Sequence, residues 1–236
     1  MTSSLRDLKV YTTYPHSCSY LEDQEATTLF VDPRQVVDQK LYSKLSVLGF
    51  RRSGNHIYRP HCTHCNACIP ARIPVAEFES TRGQRRILRR NQDLRVASSA
   101  TIEDDDAFDL YHRYICLRHS DGDMYPPDRE QYEAFLSSVW NCTRYFRFYD
   151  KGRLVAVAVV DRLEDGLSAI YTFFDPELDR RSLGAYAILW EAEKAREMGL
   201  DYLYLGYWIR GCQKMAYKSD YRPLQVYRNS NWTTLL

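Results

Sequence analysis

The sequence has no uninterrupted apolar stretch of the length that a membrane-spanning helix needs, so we expect no transmembrane segment. Its first residues, MTSSLRDLKVYTTYP, also lack the apolar stretch of a secretory signal peptide. The 7 cysteines are an odd number, which cannot pair into a complete set of disulfides. We therefore expect a cytoplasmic protein with reduced thiols and no membrane partner.

The chain also lacks an excess of charge of either sign. Its formal net charge of +1 creates no overall field that would attract a polyanion, so nucleic-acid binding requires local segregation of charge. A helix predicted from Ser80 to Leu94 provides it, with arginines at steps of three and four and no acidic residue among them. Mutual repulsion disfavours a purely solvated face, so the pattern favours contact with nucleic-acid phosphates over that alternative. These arginines are Arg82, Arg85, Arg86, Arg89 and Arg90.

A cysteine-rich segment lies just before this helix. Cys62, Cys65 and Cys68 are spaced by two residues, which lets their thiols turn toward a common centre. Cys18, or one of the two histidines at 61 and 64, can complete four ligands for zinc or for an iron–sulfur cluster. Three thiols also fit a loop that packs without metal, so the sequence leaves both interpretations open.

Hydrophobic residues make up 44% of the 236 positions, enough for one large domain or two small ones. An amphipathic helix is predicted over 33–48 and two more over 107–117 and 128–140. The following segments are apolar or alternating and are separated by Lys151-Gly152 and Asp165-Gly166, which predict an antiparallel meander. These strands span 145–149, 153–163 and 167–174, and a helix at 182–198 and a strand at 202–207 follow them.

Strands followed by a strand–helix–strand crossover are typical of the GNAT acyltransferase fold, in which two central strands splay apart to admit an acyl donor. We therefore predict an α+β chain. Residues 101–236 form a GNAT-like mixed sheet with flanking helices, and residues 1–100 form a smaller region that carries the cysteines and the arginine helix. The segment Arg181–Tyr186 approaches a coenzyme A pyrophosphate loop, but the ring of Tyr186 stands where a small residue is expected. The donor is thus expected to be something else.

The two most specific stretches of the sequence are CTHCNACIPARIPV and LGYWIRGCQKMAYKSDYRP. Together with the arginine helix, they resemble the aminoacyl-tRNA-protein transferases, and most of all their short bacterial branch, the aspartate/glutamate leucyltransferases. The resemblance implies transfer of leucine from leucyl-tRNA to the N-terminal α-amine of proteins that begin with Asp or Glu, which marks them for degradation in the N-degron pathway. The arginyl branch has a paired-cysteine motif near its N-terminus, whereas Cys18 stands alone here.

The implied reaction is aminolysis of an activated ester and requires no cofactor. Because an α-amine has a pKa of about 7.7 to 8.0, part of it is already neutral near pH 7, and positioning can contribute more than a strong base. The site does need a cation that reads the acceptor's acidic side chain. Ordinary surface charge is the alternative for each candidate. The candidates are Arg72, Arg210, Lys214, Lys218 and Arg222.

For proton handling, Asp175 and Tyr207 stand at the ends of two predicted strands, where elements of an α/β sheet meet a ligand. Asp175 could instead be an ordinary turn residue before Pro176. Tyr207 could instead be a half-buried ring of the core.

Two rival functions remain at this stage. One is a coenzyme A-dependent small-molecule N-acyltransferase, which Tyr186 disfavours. The other is a non-catalytic zinc-containing RNA-binding module, which the long GNAT-like half disfavours.

Overall fold

The computed structural model describes residues 8–235, which fold into strands and helices along their whole length. The strands are β1 (Val10–Thr12), β2 (His16–Ser17), β3 (Glu25–Ala26), β4 (Thr28–Val31), β5 (Arg51–Ser53), β6 (His56–Pro60), β7 (Ile69–Pro74), β8 (Arg95–Ser99), β9 (Thr143–Asp150), β10 (Arg153–Arg162), β11 (Gly166–Phe174), β12 (Tyr202–Trp208), β13 (Gln225–Arg228) and β14 (Asn231–Thr234). The α-helices are α1 (Gln39–Val47), α2 (Arg82–Arg90), α3 (Asp105–Arg118), α4 (Arg129–Leu136), α5 (Leu183–Glu197) and α6 (Gln213–Ala216). Two 3₁₀ segments follow β11 and α6, and they are Pro176–Arg181 and Tyr217–Asp220.

Among these residues, the main sheet has eight strands in the order β14-β13-β7-β12-β11-β10-β9-β8. The predicted antiparallel meander is confirmed in β9, β10 and β11. At its first turn, Lys151 and Gly152 both have positive φ, which suits a tight hairpin. The predicted α+β class with a large mixed sheet and flanking helices is confirmed.

Helices cover both faces of this sheet. The helix α5 packs on β11 and β12 and also contacts α2, whereas α3 packs on β10 and β11 from the other side. Each face buries its own apolar cluster, one around Phe148 and Leu189 and one around Tyr111 and Phe173. None of the helices between residues 8 and 235 is long and apolar enough to cross a membrane.

A smaller antiparallel sheet, in the order β1-β4-β6-β5, stands beside the main one. Its helix α1 begins at Gln39, so the prediction of a helix from residue 33 is wrong at that end. The Asp38 side chain accepts a hydrogen bond from the Leu41 N–H and caps the helix there. A buried ion pair between Arg52 of β5 and Asp161 of β10 joins the two sheets, with Nε and Oδ2 2.6 Å apart.

The strand β7, from the first hundred residues, lies inside the main sheet. It pairs antiparallel with β12 on one side and with β13 on the other. Strands from both sides of residue 100 therefore build one sheet, and the division into 1–100 and 101–236 stays a prediction.

Candidate functional site

The strands β11 and β12 form a parallel pair over only three residues each, from Gly166 to Ser168 and from Tyr202 to Tyr204. Beyond that point, residues 169–174 and 205–208 separate, and we call the space between them the strand gap. Parallel strands that separate in this way open a cleft in the middle of a sheet. The GNAT-like character of this sheet stays a prediction.

Arg51 of β5 reaches into the strand gap from the smaller sheet. Its Nη1 donates to Ser168 Oγ at 2.7 Å, and its Nη2 donates to the Ala169 carbonyl. On the β12 side, Gly206 has a φ of +77°, and a Cβ there would lie 3.2 Å from Arg51 Nε. Positive φ and this close approach both favour glycine at 206. A guanidinium thus stands between the two separating strands.

Lys218 is a buried cation close to the gap. Only 3% of the residue is exposed, and its Nζ donates to Met215 Sδ at 3.4 Å and lies 4.8 Å from the centre of the Tyr217 ring. Over residues 8–235, no carboxylate forms an ion pair with it. Burial, with a further contribution from Arg51, lowers the pKa of Lys218 to about 8. A cation held without an anion suits a site that receives an anionic ligand.

The other predicted anion readers have different surroundings. Arg72 is buried, with its guanidinium carbon 3.4 Å from the Tyr202 ring centre and 4.2 Å from that of Trp232. It also donates to Gln225 Oε1 and to the Tyr204 hydroxyl, so its donors are directed at internal partners. The remaining three are exposed on the same segment as Lys218. Of these, Lys214 pairs with Asp121 at 2.9 Å, and the others are Arg210 and Arg222.

The structure gives Asp175 and Tyr207 separate partners. The Asp175 carboxylate is buried, forms an ion pair with Arg153 and lies 3.6 Å from Arg113 Nη1. Tyr207 donates its hydroxyl to the Gly49 carbonyl at 2.9 Å, and burial raises its pKa well above the usual value. Both groups stand at strand ends, as the sequence predicts.

The helix α2 presents its five arginines to solvent, and its partly buried Ile87 and Leu88 face the core. Thr81 and Gln84 form a capping box that fixes the first turn. The Gln84 amide also donates to the Asp220 carbonyl at 3.1 Å, which joins α2 to the segment that carries Lys218. The cationic helix therefore lies beside the candidate anion site. The exposed arginines are Arg82, Arg85, Arg86, Arg89 and Arg90.

The predicted metal ligands share one cavity. It has a volume of about 800 Å³, and its walls include Cys18, Cys62, Cys65 and Cys68. Burial and the neighbouring thiols raise the pKa of Cys68 to about 12. No disulfide links the seven cysteines, all of which fall within residues 8–235. Across those residues, no group of three Cys, His, Asp or Glu side chains is arranged to hold a metal ion.

The sequence did not single out two charged residues in this part of the molecule, Arg51 in the strand gap and Glu191 on the buried face of α5. Arg51 gave no signal, because its role depends on the packing of β5 against a distant strand pair. Glu191 did give one: it is a carboxylate on the buried face of α5, in line with Ala187 and Ala195.

The structure shows that the ring of Tyr186 is part of the core. Its ring is 6% exposed and packs on Phe148, at 5.6 Å between ring centres, inside the core. The argument from Tyr186 against coenzyme A stays a prediction, and the choice of donor must rest on other observations.

Comparison with known proteins supplies those observations. The family model described as "Arginine-tRNA-protein transferase, N terminus" matches residues 16–86, and the corresponding C-terminus model matches residues 106–228. The chain belongs to the arginine-tRNA-protein transferase family. The predicted family and the predicted enzyme class, an aminoacyltransferase, are confirmed.

Similar proteins of this transferase family cover the full length of the chain. A protein of Teredinibacter turnerae is 56% identical over 99% of this chain and 96% of its own length, and one of Pseudomonas fluorescens strain Pf0-1 is 54% identical over 99% of both. Both are named aspartate/glutamate leucyltransferase, which is the activity that the sequence predicts. Among solved structures, L-PGS from Bacillus licheniformis matches with a TM-score of 0.47 and 12% identity, over 61% of this chain and 47% of the other. That likeness is slight.

Proposed function

We propose that this transferase moves leucine from leucyl-tRNA to the N-terminal α-amine of proteins whose first residue is Asp or Glu, marking them for degradation in the cytoplasm. The observation that carries the proposal is the full-length identity of 54% to 56% with proteins named aspartate/glutamate leucyltransferase. The surroundings of Lys218 and α2 agree with an acidic acceptor and a polyanionic donor.

We assign the reading of the acceptor side chain to Lys218. An Asp or Glu carboxylate would supply the anion that this buried ammonium lacks among residues 8–235, and an Asn or Gln amide would not. Arg210 and Arg222 are exposed on the same segment and can draw the acidic terminus toward it. Arg72 fits this role less well, because Tyr202 and Trp232 enclose its guanidinium.

We assign tRNA binding to the five arginines of α2. Their exposure leaves them available to phosphates, and each contact would contribute a salt-sensitive share of the affinity. The bond from Gln84 to Asp220 places this helix next to the segment that reads the acceptor. A tRNA on α2 can therefore bring its 3′ end toward the strand gap.

We propose that residues 101–236 are GNAT-like and that the strand gap admits the aminoacyl end of the donor. The limited pairing of β11 with β12 supports this view. Asp175 and Tyr207 stay our predicted proton-handling residues. The Asp175 carboxylate and the Tyr207 hydroxyl are already hydrogen-bonded within the protein. We therefore expect each side chain to keep its present position during the transfer.

The four cysteines of the 800 Å³ cavity fit a thiophilic metal by donor type, since zinc and iron–sulfur clusters both take thiolates. Their arrangement does not fit one, because within residues 8–235 these side chains are not grouped to hold a metal ion. A zinc or iron–sulfur site at Cys18, Cys62, Cys65 and Cys68 therefore stays a prediction, which metal analysis of the purified protein tests. The transfer itself requires no cofactor.

A transfer assay tests the function. Labelled leucyl-tRNA is offered with peptides that differ only in the first residue, which is Asp, Glu, Asn or Arg. We expect label on the Asp and Glu peptides and little on the other two. Equal labelling of all four would contradict the assigned specificity, and absence of labelling with every peptide would contradict the assigned activity.

A further inference from the structure

Glu191 is a buried carboxyl without a partner. The residue is 0% exposed, and neither of its side-chain oxygens has a hydrogen-bond partner. Within residues 8–235, no cation comes close enough to form an ion pair with it. Buried polar groups are nearly always satisfied, because an unpaired one carries a large desolvation cost. An unsatisfied carboxyl inside an enzyme is therefore a candidate ligand group.

Its position points to the strand gap. Glu191 lies on the buried face of α5, the helix that packs on both β11 and β12. Arg51, the guanidinium inside the gap, is the charged group that acts on Glu191 and lowers its pKa. Burial is the larger effect and raises that pKa to about 8. On β12, the Trp208 indole N–H is also buried without a partner.

Tyr217 lies within electrostatic range of this carboxyl. Burial raises the pKa of the Tyr217 phenol, and the charge of Glu191 contributes in the same direction. The Tyr217 side chain is 44% exposed, although its neighbour Lys218 is buried. Glu191 also raises the pKa of Tyr221, a buried ring of the same segment. Two tyrosines of the segment that carries Lys218 are therefore within electrostatic range of Glu191.

We propose that Glu191 binds the free α-ammonium group of the leucyl residue on the donor tRNA. This inference rests on the proposed function. A leucyl ester in the strand gap brings a cation with three N–H donors, and Glu191 has two unpaired oxygens to accept them. The acceptor's acidic side chain needs the opposite sign and goes to Lys218.

The acceptor amine is a poorer match for Glu191. That nitrogen must be neutral to attack the ester carbonyl, so a carboxylate that stabilises its ammonium form would hold back the reaction. The donor's α-ammonium takes no part in bond making and keeps its charge through the whole transfer. Burial keeps Glu191 largely protonated at pH 7 before the donor binds, so Glu191 would release its proton to solvent as the ammonium arrives and then pair with it until product release.

Binding measurements without any acceptor test the proposal. Filter binding compares leucyl-tRNA with N-acetyl-leucyl-tRNA, which has the same apolar side chain but no ammonium. We expect the wild-type protein to bind leucyl-tRNA about tenfold more tightly or better, the usual range for a charge-assisted hydrogen bond. Equal binding of the two by the wild-type protein would overturn the proposal without recourse to any variant.

Two variants test whether Glu191 causes the preference for leucyl-tRNA over N-acetyl-leucyl-tRNA. Glu191→Gln keeps the shape but cannot ionise, and we expect it to bind both tRNAs with similar affinity. Glu193→Gln is the matched control on the same helix, because the Glu193 side chain is 45% exposed and pairs with Arg196 at the surface. It should keep the wild-type preference. A preference that survives in Glu191→Gln would assign the discrimination to another group.

The folding and kinetic readouts separate the possible failures. Removing an unpaired buried acid should not lower the melting temperature of Glu191→Gln; if it does, Glu191→Asp, which keeps the charge, should retain the preference. In the transfer assay, we expect Glu191→Gln to raise the KM for leucyl-tRNA about tenfold and to leave the KM for the Asp peptide unchanged. A change confined to the Asp peptide would overturn the donor assignment. Wild-type protein that transfers no leucine refutes the proposed function instead.

Discussion

Replacing Lys218 with Met should make the protein more stable and less selective. The pKa of Lys218 falls from 10.5 to about 8 because the side chain is buried. At about 1.4 kcal/mol for each pKa unit, keeping this ammonium charged in the folded protein costs about 3 kcal/mol. Methionine has similar length, carries no charge and suits a site that already contains Met215 and the Tyr217 ring. The variant is therefore freed of most of that cost at pH 7.

The dependence on pH has a definite sign. Lys218 binds its proton less tightly in the folded than in the unfolded chain, so the unfolded chain holds more protons between about pH 8 and pH 10.5. The stability of the wild-type protein relative to Lys218→Met therefore rises over that range. The advantage of the variant is complete below about pH 8 and disappears above about pH 10.5.

Thermal melts at pH 7 and transfer assays check both effects. For a chain of this size, about 2 to 3 kcal/mol raises the melting temperature by about 5 to 10 °C. In the assay, the preference for an Asp over an Asn peptide should shrink by about 10- to 100-fold, because the charge-assisted contact is lost. Lys214→Met is the control, since Lys214 is exposed and paired with Asp121, and it should change neither quantity much. A lower melting temperature for Lys218→Met, or an intact preference for Asp, would refute the reasoning.

Other predictions address the remaining residues. Arg86→Gln should reduce the slope of log Kd for tRNA against log salt concentration by about 1, and an unchanged slope would place α2 outside the tRNA contact. Asp175→Asn should lower stability by about 1 to 3 kcal/mol in urea titrations, and a loss of rate beyond the loss of folded protein would support proton handling. Tyr207→Phe removes one buried hydrogen bond and should lower the free energy of unfolding by about 1 kcal/mol. A loss of transfer rate larger than the loss of folded protein would again support proton handling. Asp161→Asn leaves Arg52 without its charge partner and should cost about 3 to 5 kcal/mol, measured by the same titration; a cost below 1 kcal/mol would contradict the importance of this pair.

Local pattern predicted the elements that local interactions control. The meander of β9 to β11 followed from alternating apolar residues and from turn residues such as Lys151-Gly152. The predicted start of α1 was wrong because apolar residues at helical spacing continue upstream of Asp38. The Asp38 side chain caps the N-terminus, so the helix begins at Gln39. The place of β7 between β12 and β13 could not be predicted, since it depends on pairing with strands far away in sequence.

In the candidate site, too, the sequence predicted what local spacing controls and missed what tertiary packing controls. Helical spacing correctly predicted that the arginines of α2 face solvent. Arg72 looked like an equally good surface cation, and only the tertiary structure shows Tyr202 and Trp232 around it. The motif around Lys218 marked the correct segment, but its burial, which singles it out among the candidate anion readers, appears only when the chain is folded.

The position of β7 also bears on how the molecule is made. During synthesis, Ile73 leaves the ribosome long before Leu203, its partner in β12, has been translated. The nascent chain must therefore keep an apolar strand unpaired until almost the whole protein exists, and such distant pairing is slow to form. A truncated copy that begins after β7 would leave β12 and β13 with open edges that invite self-association.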